Sequence, residues 1–61
     1  MSIQWEDLIA EIDGLLGEPE AAFAEDTLAG IRDWILEHEH CTVRQAQAVD
    51  HIRRAVERSE R

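Results

Sequence analysis

Residues 42–56, TVRQAQAVDHIRRAV, contain the clearest helix boundary in the sequence. Thr42 is followed three residues later by Gln45, the spacing of a capping box in which each side chain satisfies a backbone donor of the other residue. One apolar stripe runs along the segment and consists of Ala48, Val49, Ile52, Ala55 and Val56. The stretch therefore predicts an amphipathic helix that begins at Thr42.

A second helical pattern lies near the amino terminus. Apolar residues recur there at spacings of three and four, which places them on one helix face: Trp5, Leu8, Ile9, Ile12, Leu15 and Leu16. Ser2 is the predicted N-cap, and Gly17, just ahead of Pro19, is predicted to end the helix. Gly14 weakens the last turn by about 1 kcal/mol relative to alanine.

The middle of the chain predicts a long helix that opens at Pro19 and runs to about His38, about 30 Å in length. Its expected buried side consists of Phe23, Leu28, Ile31, Trp34 and Ile35, with Ala24 and Gly30 as positions where another helix could approach closely. Because Asp and Thr are poor helix-interior residues, a break near Asp26 is the alternative. The connection over residues 39–41 is short, so the second and third helices should be neighbours in space.

Together the three segments predict an all-α fold, a small three-helix bundle in a single domain covering residues 1–61. A chain of 61 residues buries only about 60 % of the surface that its unfolded form exposes. Cys41 is its only cysteine, so no internal disulfide can stabilise the fold, and a reduced, cytoplasmic environment is expected. We therefore expect a homodimer or a bound state rather than a solitary monomer. No signal peptide or membrane-spanning segment is visible, and no membrane partner is expected.

All of the net charge of −8 lies in the first half of the chain. Residues 31–61 contain six acidic and six basic side chains, whereas residues 1–30 contain no Lys or Arg and eight acids: Glu6, Asp7, Glu11, Asp13, Glu18, Glu20, Glu25 and Asp26. An anionic surface repels nucleic acid and membranes and attracts basic protein surfaces. The acids either serve solubility alone or form a surface that imitates nucleic-acid phosphate and fits a basic groove.

Large aromatic side chains are the second candidate binding feature. Trp5, Phe23 and Trp34 are expected in the core, but so short a chain cannot bury all three deeply, and one or two would then anchor a protein interface. The predicted protein-binding residues are accordingly the eight acids together with Trp5 and Trp34.

A helix-turn-helix module associated with DNA is the alternative function. Arg44, Gln45 and Gln47, near the start of the third helix, could contact base edges. Arginines later in that helix could contact phosphates: Arg53, Arg54 and Arg58. The strongly anionic molecule opposes this interpretation, because DNA binding normally requires a basic surface. Direct nucleic-acid binding is therefore not the leading prediction.

A few residues of the chain have side chains suited to metal binding or catalysis. His38, His40, Cys41 and His51 are zinc-ligand types, but their spacing completes no recognised zinc pattern. The alternative is that His38 and His40 interact with carbonyls at a helix C-terminus and that Cys41 packs at the turn. No metal, no cofactor and no enzymatic activity are predicted.

Residues 23–53 resemble a helical hairpin that recurs in small proteins encoded by bacteriophages and prophages. The resemblance is carried by apolar spacing and the threonine cap: Phe23, Thr27, Leu28, Gly30, Ile31, Trp34, Ile35, Thr42, Gln45, Ala48, Val49 and Ile52. It implies a phage or bacterial origin and a role in binding and inhibiting host proteins. The leading prediction is therefore a small acidic protein-binding module, a phage-derived inhibitor that docks its anionic face on a basic surface of a host protein.

Overall fold

The structure, a computed structural model, describes residues 4–59. Three α-helices follow one another, α1 (Trp5–Leu16), α2 (Glu25–His38) and α3 (Val43–Ser59), and a 3-10 helix (Pro19–Ala24) lies between α1 and α2. No strand occurs within this range. The all-α fold class and the small three-helix bundle are confirmed.

The core is built from the apolar stripes that the sequence predicts. Leu8, Ile12 and Leu15 of α1 are buried, as are Val49, Ile52 and Val56 of α3. From the middle of the chain the core receives Ala21, Ala24, Leu28, Ile35 and Cys41. The core position of Cys41 confirms its interpretation as a packing residue.

Residues 19–38 do not form the single long helix that the sequence predicts. A 3-10 helix covers Pro19–Ala24, and the α-helix begins only at Glu25. Its 14 residues correspond to a length of about 21 Å rather than 30 Å. The alternative, a break near Asp26, is confirmed. Ala21 and Ala24 are three residues apart, share one face of the 3-10 helix, and are both buried.

Three residues of this segment lie outside the core that they were expected to join. Phe23 is 67 % exposed and Trp34 is 37 % exposed, so the prediction that both face the core was wrong. Phe23 lies two residues after Ala21 and one before Ala24, so it is turned away from the face of these buried alanines in a 3-10 helix and in an α-helix alike. Gly30 is exposed, and a β-carbon there would meet nothing within 4 Å, so no helix approaches it closely.

The turn between α2 and α3 connects two helices that share few contacts. Both pack mainly against other elements, α2 against α1 and the 3-10 helix, and α3 against the 3-10 helix and α1. The prediction that α2 and α3 are neighbours therefore holds only at the turn. Glu39 produces the divergence, because it ends α2 in the left-handed conformation (φ 50°, ψ 41°) while its N–H donates to the Ile35 carbonyl at 2.8 Å.

Both hydrogen bonds of the predicted capping box are present at the start of α3. The Thr42 N–H donates to Gln45 Oε1 at 2.8 Å, and the Gln45 N–H donates to Thr42 Oγ1 at 3.1 Å. At the other end of the chain, α1 ends at Leu16 with Gly17 as its C-cap, as predicted. The predicted N-cap Ser2 lies outside the described residues. No helix of the described range is both long and apolar enough to cross a membrane.

Candidate functional site

The eight amino-terminal acids divide into three groups in the structure. Glu6 and Asp7 are exposed in the first turn of α1, where they complement the positive end of the helix dipole. Glu11 and Asp13 lie farther along α1. The remaining acids lie in the 3-10 helix or directly beside it, after α1 in the chain, and they are Glu18, Glu20, Glu25 and Asp26.

Arginines of the other helices compensate two of these acids. Asp13 Oδ1 lies 2.7 Å from Arg32 Nε, and Glu11 Oε1 lies 3.0 Å from Arg53 Nε. Both pairs are well exposed to solvent, and such surface pairs contribute about 0–1 kcal/mol each. They connect α1 to α2 and to α3, so Glu11 and Asp13 have a structural role and offer little free charge to a partner.

The four acids around the 3-10 helix remain uncompensated. Glu18, Glu20, Glu25 and Asp26 are all exposed, and no ion pair within residues 4–59 involves any of them. We call these four residues the acidic segment. The four acids lie between Glu18 and Asp26, a stretch of the chain that spans about 16 Å at about 2 Å per residue.

The threefold period of the 3-10 helix separates its side chains into three rows. Ala21 and Ala24 form the buried row. Glu20 and Phe23 form a second row, and both are exposed. Pro19 and Ala22 form the third row, which continues to Glu25. Each of the two exposed rows therefore combines an apolar group with a carboxylate.

A shallow cleft of about 190 Å³ lies beside the third row. It is lined by the apolar residues Leu16, Pro19, Ala21 and Ala22, together with Gly17, Glu18 and Glu25. Two acidic residues thus line one concavity although they lie seven positions apart in the sequence. The cleft has the composition that fits the apolar stem and charged end of a Lys or Arg side chain.

Phe23 is the residue of this site that the sequence interpretation missed. Exposure of 67 % places the largest side chain of the 3-10 helix in solvent, while two alanines of the same helix occupy the core. The available signal was the spacing of Ala21 and Ala24, three residues apart after Pro19. That spacing puts both alanines on one helix face and Phe23 on another, in a 3-10 helix and in an α-helix alike.

The two predicted tryptophan anchors lie elsewhere. Trp5 is half-buried against the core. Trp34 is stacked on His38, with ring centroids 3.9 Å apart and an interplanar angle of 14°, and His40 is tilted against it at 6.5 Å. Because eight residues of α2 separate Trp34 from Asp26, the tryptophan lies about 12 Å along the helix from the acidic segment.

Some of the residues that the DNA-binding alternative requires already make contacts within the chain. Gln45 belongs to the capping box. Arg53 pairs with Glu11 and with Asp50, and Arg54 pairs with Asp50 at 3.0 Å. The hydrogen bond from Arg53 holds the pKa of Asp50 below its ordinary value, and the same bond raises the pKa of Arg53. Arg44, Gln47 and Arg58 are exposed, and DNA association stays an untested alternative.

No metal-ligand cluster is present in the part of the chain that the structure describes, where no group of three or more His, Cys, Asp or Glu side chains could hold an ion. His38 Nδ1–H donates to the Trp34 carbonyl at 2.8 Å, which confirms the expected contact of this histidine with a helix carbonyl. An open depression of about 640 Å³ on α3 is lined by His51, Arg54, Glu57 and Arg58. The residues that line this depression include acidic and basic side chains, and all of them belong to α3.

Comparisons of this chain with protein-family models, with curated proteins and with solved structures give no match. The resemblance to phage-encoded hairpins therefore stays a prediction. The candidate site rests on the geometry of the 3-10 helix and its carboxylates.

Proposed function

We propose that this chain is a small acidic protein-binding module that docks its anionic face on a basic surface of a partner protein. In the form that the sequence favours, it is a phage-derived inhibitor acting in the bacterial cytoplasm. A partner surface that normally holds nucleic acid would be blocked by competition, because the carboxylates would take the place of phosphates.

The observation that carries this proposal is the uncompensated acidic segment. Four exposed carboxylates without an ion pair in residues 4–59 lie within a stretch about 16 Å long, next to an apolar cleft and an exposed phenylalanine. The paired acids Glu11 and Asp13 are excluded from this role. Long-range attraction by such a surface raises the rate of association with a cationic partner by about 10- to 1000-fold.

Glu6 and Asp7 extend the negative field at the far end of α1. They lie too far from the 3-10 helix to share one contact with a small basic patch. We assign them a part in steering the approach of the partner, while the acidic segment makes the direct contact. The sequence predicts Trp5 and Trp34 as apolar anchors. In this arrangement they contribute less to the contact than Phe23.

The experiment that tests the proposal captures partners from a nuclease-treated bacterial lysate on the full-length chain and then measures binding with the purified partner. The site variant replaces all four carboxylates by amides: Glu18→Gln, Glu20→Gln, Glu25→Gln and Asp26→Asn. The control variant changes the charge by the same amount elsewhere, at exposed positions without an ion pair in residues 4–59: Asp33→Asn, Glu37→Gln, Glu39→Gln and Glu57→Gln.

We expect the captured partner to be basic and its association rate to fall by about tenfold or more in the site variant. The control variant should retain most of the wild-type rate. A partner that associates equally fast with both variants would contradict the proposal. Addition of DNA should also displace the chain if the partner surface is one that binds nucleic acid.

A further inference from the structure

We propose that the 3-10 helix recognises a basic amphipathic segment of its partner, with Phe23 as the apolar anchor and the neighbouring cleft as the seat of a Lys or Arg side chain. The inference rests on the proposed function and adds the chemistry of the partner. Charge alone would accept any cation, whereas this surface requires apolar and basic side chains in alternation.

The first support is that the backbone at Phe23 is held in place by packing. Its neighbours Ala21 and Ala24 are 2 % and 5 % exposed, and the 3-10 helix packs against all three α-helices. The backbone that carries Phe23 is therefore held from the core side, and its ring is presented to solvent at little entropic cost on binding. Rigid aromatic side chains at the centre of a contact commonly supply most of its energy.

The second support is the pattern of the two exposed rows. Phe23 shares its row with Glu20, and Ala22 shares its row with Pro19 and Glu25. An apolar group thus lies beside a carboxylate in both rows. A partner that matches them needs an apolar socket for Phe23 and at least one cation that reaches the cleft between Glu18 and Glu25.

Charge complementarity selects the class of partner. Nucleic acid and anionic lipid are repelled by a surface with four uncompensated carboxylates. A basic protein segment satisfies both requirements, because Lys and Arg side chains bury an apolar stem while the charged end remains at the rim. An amphipathic helix with leucines at spacings of three and four on one face and arginines beside them has this combination.

The test titrates isotope-labelled full-length protein with two synthetic peptides and follows the backbone amide resonances. One peptide is an amphipathic helix of arginines and leucines, and the other has the same charge with glutamine in place of every leucine. We expect the first peptide to shift resonances of residues 16–26 most strongly and to bind about tenfold or more tightly than the second. Both Phe23→Ala and Ala22→Leu should weaken binding of the first peptide. Phe23→Ala removes the apolar anchor, and Ala22→Leu fills the cleft.

Leu36→Ala is the matched control, because Leu36 is an exposed apolar residue (42 %) in the last turns of α2. It should leave peptide affinity unchanged. Equal affinity for both peptides, or wild-type affinity of the Phe23→Ala variant, would overturn the inference. The proposed function would still stand in that case if binding remained sensitive to salt. Binding that is insensitive to salt and to the four amide substitutions, or no binding of either peptide at low salt, would contradict both.

Discussion

Glu39 is the residue whose backbone conformation least suits its side chain. It ends α2 at φ 50° and ψ 41°, a region where a β-carbon costs about 1–2 kcal/mol. We expect Glu39→Gly to raise the free energy of unfolding by about 1 kcal/mol, as measured by urea denaturation. Glu39→Ala removes the same charge and keeps the β-carbon, so an equal gain in the alanine variant would show that charge, and not conformation, is responsible.

Gly14 and Gly30 lie inside α-helices although neither position needs a glycine. An added β-carbon meets nothing within 4 Å at either position, and glycine costs about 0.5–1 kcal/mol relative to alanine in a helix interior. Gly14→Ala and Gly30→Ala should therefore each stabilise the protein by about that amount in thermal or urea denaturation. A loss of stability in Gly30→Ala would contradict the open surface at this position and would indicate that another chain packs there in solution.

At the scale of the elements, the capping box defines where α3 begins. Thr42→Ala removes the acceptor of the Gln45 N–H and should lower the free energy of unfolding by about 1 kcal/mol. Thr42→Ser retains the hydroxyl and should recover most of this loss. Equal destabilisation of the two variants in urea denaturation would mean that the methyl group of Thr42, and not the cap, is the stabilising feature.

Asp50 joins Arg53 and Arg54 on α3 and ties the stability of this helix to pH. Because the hydrogen bond from Arg53 lowers the pKa of Asp50 in the folded protein, the folded state binds fewer protons than the unfolded state in acid. This stabilisation is complete above the unfolded pKa near pH 4 and is lost as the pH falls through the lower, folded pKa. Asp50→Asn should thus lack this part of the acid sensitivity seen in the wild-type protein by thermal denaturation at several pH values. An unchanged acid profile would contradict the assignment.

Periodic apolar spacing made α1 and α3 predictable from sequence, since Leu8, Ile12 and Val49 repeat with the helical period and are buried in the structure. Thr42 and Gln45 made the start of α3 predictable as well. The 3-10 winding was not predictable in the same way, because a spacing of three residues between Ala21 and Ala24 fits a 3-10 helix and an α-helix equally. The exposure of Phe23 was predictable, since Phe23 lies off the face of these two alanines with either winding.

At the scale of the whole molecule, composition determines the amount of unbalanced charge but not its distribution over the surface. A count over residues 1–30 treats all eight acids alike, whereas folding brings Arg32 to Asp13 and Arg53 to Glu11. These partners are 19 and 42 residues apart in the chain, so no local pattern reveals them. What remains uncompensated beside an exposed apolar surface is the acidic segment around the 3-10 helix, which is the reason that the proposed contact lies there.

The most direct test of this account is the salt dependence of the association rate between the full-length chain and the arginine–leucine peptide. The Debye length falls from about 30 Å at 0.01 M salt to about 3 Å at 1 M, so attraction by the acidic segment should fade across that range. We predict a steep fall in rate for the wild-type protein, and a lower rate with a smaller salt slope for the site variant than for the control variant. Equal salt slopes in the site and control variants would contradict the claim that these four carboxylates guide the partner.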